Sequence, residues 1–186
     1  MLLAHKIELK CNNKQATYFA KASGVARHAY NWALNEWQQA YQSGGKPSEA
    51  ALRRKLNSIK REQFPWMLEV TKNAPQMAII QLGQAFKNFF AKRADYPKFR
   101  KKWIDDRFTL TNDQFSVNDS RIRIPHLGWV RMRESDLRPA VRCGADLVHL
   151  AVDCRRQRSV EPVDDLVDLA MKMGLRHARL GRHHEL

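Results

Sequence analysis

Between Lys92 and Arg107 the chain sets seven cations, Lys92, Arg93, Lys98, Arg100, Lys101, Lys102 and Arg107, among three aromatic residues, Tyr96, Phe99 and Trp103. Lysine and arginine neutralise phosphates, and a ring between them stacks on a base or wedges between bases. A solvated charge run has no use for the rings, so the stretch reads as a linker that tracks a nucleic-acid backbone. Arg121, Arg123, Arg131 and Arg133 alternate with apolar residues, so each pair projects from one face of a strand. That face either meets RNA or faces solvent. The case for catalysis is weaker. His183-His184-Glu185 lies at a terminus without a complete metal-ligand spacing, and Asp164, Asp165 and Asp168 read as acids at a helix start. Cys11, Cys143 and Cys154 are scattered and odd in number, which fits neither a disulfide framework nor a zinc knuckle. The expectation is no catalytic residue and no metal ligand.

The whole chain carries the same signal. Its 186 residues hold 33 Lys+Arg against 19 Asp+Glu, a net charge of +14, which calls for an anionic partner. With 44% hydrophobic residues it can also build a core. No apolar run approaches the roughly 18 residues that span a bilayer, and nothing resembles a signal peptide. A cytoplasmic protein with no membrane partner is expected. The composition breaks near residue 137. All 17 aromatics lie at or before Trp129, and residues 1–137 hold 24 basic and 12 acidic residues, against 9 and 7 afterwards. The part after 137 is either a real helical appendix or a coding sequence read out of frame.

Elements that would position these groups follow from periodicity. Leu3 to Lys10 alternates as a strand, and Asn12 offers a helix cap. From Lys14 to about Gln42, the residues Phe19, Ala22, Ala26, Tyr30, Ala33, Trp37 and Tyr41 form one helical stripe, ended by Gly44-Gly45. Trp32 and His28 fall opposite, with Trp32 expected against the Phe64-Pro65-Trp66 turn. Ser48 caps a second helix with Leu52, Leu56 and Ile59 inward. A third begins near Asn73, with Pro75 in its first turn and Ile79, Leu82, Phe86 and Phe89 or Phe90 inward, leaving Gln81, Gln84 and Asn88 as a solvated face. Arg107–Leu110, Phe115–Val117, Arg121–Ile124 and Trp129–Arg133 are short strands separated by turn residues. Pro162 could start a last helix.

Four ordered segments, GVARHAYNWALNEWQQAY, FPWMLEVTKNAPQMA, QAFKNFFAKRADYPKFRKK and RIRIPHLGWVRMR, resemble the N-terminal part of the TnpB/OrfB family of transposon-encoded, RNA-guided nucleases. The resemblance covers roughly residues 1–137. It implies an α+β fold in which a helical recognition lobe is inserted in a small, wedge-like β-barrel. The corresponding divisions are residues 1–12 for the first barrel strand, 13–92 for the lobe, 93–137 for the basic linker and remaining strands, and 138–186 for a divergent tail. It further implies that Ser48, Glu49, Arg53, Lys72, Asn73 and Gln76 face the short duplex motif beside the target. Glu49 stands where the family pattern has an aromatic. Ordinary caps and helix surface explain these residues equally well.

The family cuts DNA with three carboxylates that hold two metal ions. The nearest match to the first of them is Leu166-Val167-Asp168-Leu169-Ala170, and it is weak; the zinc ribbon is not recognisable. The resemblance therefore implies magnesium and zinc only for family regions this sequence does not show, and no cofactor bound by this chain. The expected function is binding of duplex DNA and a guide RNA without a nuclease centre of its own. A decayed transposon gene product, or one subunit of a split nuclease, is the alternative. The residues expected to bind are Ser48, Arg53, Lys72, Asn73, Gln76, Lys92, Arg93, Lys98, Arg100, Lys101, Lys102, Arg121 and Arg123.

Overall fold

A computed structural model describes residues 7–118, 120–133 and 147–151, the last segment by its backbone. In chain order the elements are β1 (Leu9–Lys10), α1 (Asn13–Gln42), α2 (Glu49–Gln63), a 3₁₀ turn (Pro65–Glu69), α3 (Asn73–Phe90), β2 (Arg107–Thr111), β3 (Ser116–Asn118), β4 (Arg121–Ile124), β5 (Gly128–Met132) and β6 (Leu147–Ala151).

The helix α1 begins on a reciprocal cap: Gln15 N–H donates to Asn12 Oδ1 at 2.9 Å, and Asn12 N–H donates to Gln15 Oε1 at 3.0 Å. Such a cap satisfies two otherwise orphaned donors and contributes about 1 kcal/mol. Gly44, at φ +78°, then turns the chain away through the left-handed region that glycine enters without steric penalty. Of the expected stripe, Phe19, Ala22, Ala26, Tyr30 and Ala33 are buried while Tyr41 near the end of α1 is exposed, and Val25, Ala29 and Leu34 are buried as well. α1 packs on both α3 and β2, so its buried arc is wider than one stripe. Trp37 stacks on Phe86 of α3 with centroids 4.3 Å apart. Trp32 is half-buried against the core, while the ring that meets the turn aromatics edge-on is His28, 5.0 Å from Phe64 and 5.1 Å from Trp66.

Between α2 and α3 the backbones come close at Gly83, where a Cβ would lie 2.9 Å from that of Glu49. Tyr18 ties the parts together. Its hydroxyl donates to Pro125 O at 2.9 Å and accepts from Thr71 N–H at 3.1 Å, joining α1 to the approach to α3 and to the β4–β5 turn.

The strands form two antiparallel sheets, one of order β1-β5-β4-β3 and one of β2 with β6. Ile122, Ile124, Val130 and Met132 are buried on one face of the larger sheet, as the alternation requires. This is an α+β fold with an open sheet; the described strands do not close into a barrel. Within residues 138–186, which were expected as a divergent tail, Leu147–Ala151 forms β6 and pairs with β2 from Arg107↔Ala151 to Thr111↔Leu147, a strand the sequence did not suggest. The helix expected from Pro162 lies outside the described residues. Among the described residues no helix is long and apolar enough to cross a membrane.

Candidate nucleic-acid interface

The first basic surface is a groove of about 350 Å³ between α2 and the start of α3. Its walls carry Arg53, Asn57, Lys60, Lys72 and Gln76 over a floor of Leu56, Pro75 and Ile79, with no carboxylate in the lining. Arg53, Asn57 and Lys60 follow at four- and three-residue steps, which places them along one side of α2. Lys72 and Gln76 face them from α3. Sequence reasoning named Arg53, Lys72 and Gln76 but missed Asn57 and Lys60, which helical spacing from Arg53 would have added. Within the groove Lys60 Nζ donates to Asn57 Oδ1 at 2.8 Å, and Arg53 Nη2 donates to Glu49 Oε1 at 3.0 Å. Arg53 Nε is buried without a hydrogen-bond partner.

Two residues expected beside this groove have other tasks. Ser48 caps α2, its Oγ accepting from Ala51 N–H at 3.3 Å. Asn73 is not presented at the surface: it is 3% exposed, and its Nδ2 donates to Thr111 Oγ1 at 2.6 Å. A buried amide must find such a partner, and β2 supplies it.

The second surface is the stretch after α3, which is a braced loop and not a free linker. Asn31 holds the Arg100 backbone from both sides, its Nδ2 donating to Arg100 O at 3.0 Å and its Oδ1 accepting from Arg100 N–H at 2.8 Å. The Asp106 carboxylate accepts from the Arg27 guanidinium in a largely buried ion pair, and from Trp103 N–H at 2.8 Å. These bonds hold Trp103 at φ +71°, a region unfavourable to bulky residues.

Arg100 itself points inward, which corrects its assignment to the phosphate-tracking set. Its guanidinium lies 3.9 Å from the Tyr30 ring centroid, and Nη2 donates to Gln81 Oε1 at 2.7 Å. Burial pushes its pKa down to about 10, which leaves it charged at neutral pH. Gln81 is likewise no solvated residue, since its Nε2 donates to Thr109 Oγ1 at 2.9 Å. Gln84 does stay exposed, bonded to Asn88. The remaining loop cations, Lys92, Arg93, Lys98, Lys101 and Lys102, are exposed, as are Phe99 and Trp103. Lys102 Nζ lies 4.6 Å from the Trp103 ring centroid. Tyr96 is partly committed inward, edge-on to Phe86 and Phe89.

The third surface is the outer face of the larger sheet, where Lys10, Arg121, Arg123, Trp129, Arg131 and Arg133 are exposed. Register aligns Lys10 with Arg131 and Arg131 with Arg121 on successive strands, and sets Arg123 opposite Trp129. Arg133 pairs with Glu8 at 3.5 Å. Among the described residues no group of three or more His, Cys, Asp or Glu side chains stands together to hold a metal ion.

An α+β scaffold with a cationic groove, a braced basic-aromatic loop and an arginine-rich sheet face has the build expected of a nucleic-acid-binding protein. Residues 1–46 match the OrfB/IS605 model described as a helix-turn-helix domain. The chain is 25% identical over 179 residues to a protein of Escherichia coli K12 named as an RNA-guided DNA endonuclease, InsQ, covering 90% of this chain and 44% of that one. It is 31% identical over 127 residues to a Streptomyces pristinaespiralis protein named likewise, covering 61% of this chain and 31% of that one. A shorter relative is virulence protein VsdF of Salmonella dublin, 29% identical over 113 residues, covering 55% of this chain and 95% of that protein. The helix-turn-helix match and these relatives together support membership of the TnpB/OrfB family. It spans less than half the length of the two relatives named as RNA-guided endonucleases.

Proposed function

We propose that this chain is a nucleic-acid-binding portion of a TnpB/OrfB-type protein that grips duplex DNA in the α2–α3 groove and guide RNA over the braced loop. The observation that carries this reading is the convergence of Arg53, Lys60 and Lys72, with Asn57 and Gln76, in one groove lined by no carboxylate. Lys60 and Lys72 suit phosphate oxygens, Arg53 adds a guanidinium that shares its charge with Glu49, and the two amides suit base edges in the short motif beside a target. The relatives' names supply the RNA partner, and in RNA-guided recognition sequence choice is delegated to base pairing. On this reading α1 to α3 form the recognition lobe and the open sheet is the wedge region. The chain acts in the cytoplasm, by binding alone, with no metal cofactor of its own.

The test is fluorescence anisotropy on a duplex DNA with the full chain and an R53Q/K60Q/K72Q variant, beside a plasmid-cleavage assay with magnesium. At about 100 mM salt the variant binds at least ~10-fold more weakly than the parent, and the plasmid stays intact. Equal affinity of parent and variant contradicts the groove assignment, and cleavage by the purified chain contradicts binding alone.

A further inference from the structure

The outer face of the larger sheet has a use that the α2–α3 groove does not cover. Lys10, Arg131 and Arg121 occupy aligned positions on β1, β5 and β4. Neighbouring strands lie about 4.8 Å apart, so the backbones carrying the three cations fall within about 10 Å. Like charges aligned across strands repel. Among the described residues no carboxylate pairs with any of the three, and an anionic ligand laid along the row would offset that repulsion.

The row borders a groove of about 430 Å³ lined by Lys10, Cys11, Asn12, Gln15, Arg121, Trp129 and Arg131. Trp129 is 43% exposed at its edge. Its position is fixed by β5 pairing and by Gln15 Nε2, which donates to Trp129 O at 3.1 Å. Among the described residues no cation covers the Trp129 ring, in contrast to Trp103 under Lys102. An exposed indole beside a line of cations that no described carboxylate pairs matches the two parts of an unpaired nucleotide, a base and its phosphates. In a duplex the base faces are hidden in the stack, so this geometry selects single strands. The Gln15 amide already bonds Asn12 N–H and Trp129 O, so recognition rests chiefly on the ring and the cations.

We propose that the sheet face is a second binding site, specific for single-stranded nucleic acid, in which Trp129 stacks on a base while Lys10, Arg121 and Arg131 hold the adjoining phosphates. The proposal rests on the reading that this chain binds nucleic acid, and adds a strand state that the α2–α3 groove does not select. It predicts tolerance of base sequence and of sugar.

The experiment is anisotropy of the full chain on oligo(dT) and oligo(U) of about 12 nucleotides and on a duplex, at several salt concentrations. The two oligonucleotides bind within ~3-fold of each other, because stacking and phosphate contacts ignore the sugar. Trp129→Ala weakens both by about 10-fold or more and leaves duplex affinity within ~2-fold, whereas Trp129→Phe stays within ~3-fold of the parent. R121Q/R131Q lowers the salt slope on the oligonucleotides by about 1.4. Unchanged oligonucleotide affinity in Trp129→Ala, or equal loss on the duplex, overturns the proposal. A parent chain that binds the duplex and no single strand overturns this site and leaves the groove reading intact; one that binds neither overturns both.

Discussion

Replacing Asn31 by alanine isolates what braces the basic loop. The side chain makes two hydrogen bonds, 3.0 Å to Arg100 O and 2.8 Å from Arg100 N–H, and both partners belong to a half-buried residue. Each such bond contributes about 1 kcal/mol net, and a buried backbone group left without a partner adds a further penalty unless water reaches it. The substitution therefore costs about 2–3 kcal/mol. For a chain of this size that lowers the melting temperature by roughly 4–12 °C. The loop loses its anchor while Arg100 keeps its contacts with Tyr30 and Gln81, so affinity for duplex and single-stranded probes falls along with stability. Scanning calorimetry with Asn88→Ala as control reads the effect, because the Gln84–Asn88 bond is exposed and its loss costs less than about 0.5 kcal/mol. If both variants melt within a degree or so of the parent, Asn31 does not hold the loop and the argument for a preformed basic surface fails.

Two further substitutions probe the scaffold. Gly83→Ala places a Cβ 2.9 Å from that of Glu49, forcing α2 away from α3; the expected loss is about 1–3 kcal/mol, with weaker duplex binding as the groove widens. Unchanged stability in chemical denaturation would refute the close approach. His28 gives a pH signature. Burial, and then the neighbouring Arg27, hold its imidazole below the ordinary value of 6.5, so the unfolded chain takes up the proton first as the pH falls. Its contribution to stability is complete above about pH 6.5 and is lost below, by at most about 1.4 kcal/mol per pH unit, until the folded-state imidazole also titrates. His28→Gln flattens that decline in urea unfolding measured from pH 7 to 5, and parallel curves for parent and variant contradict it.

The local grammar of this chain was legible where a signal and its partner are near neighbours. Asn12 with Gln15, Ser48 with Ala51, and the alternation of Arg121 to Ile124 each specify an element within a few residues, and each element stands where they put it. Misreadings arose where the partner is remote. Asn73, Gln81 and Arg100 look like surface groups because nothing nearby shows that Thr111, Thr109 and Tyr30 await them. A single stripe on α1 also understated its burial, since periodicity registers one packed face and α1 has neighbours on two elements. The β2–β6 pairing was illegible for a similar reason: Leu147–Ala151 is short, and its partner strand begins forty residues earlier, at Arg107. The groove was half legible, its α3 wall and Arg53 from the family resemblance, its Lys60 and Asn57 only from the helix that carries them.

The central claim is that the cations of a preformed surface bind nucleic-acid phosphates. The most direct measurement is the affinity of the full chain for a duplex DNA across a series of salt concentrations. Arg53, Lys60 and Lys72 in the groove predict a fall of log K against log salt with a slope of about −3. Binding that does not respond to salt, or no binding at low salt, would contradict the account.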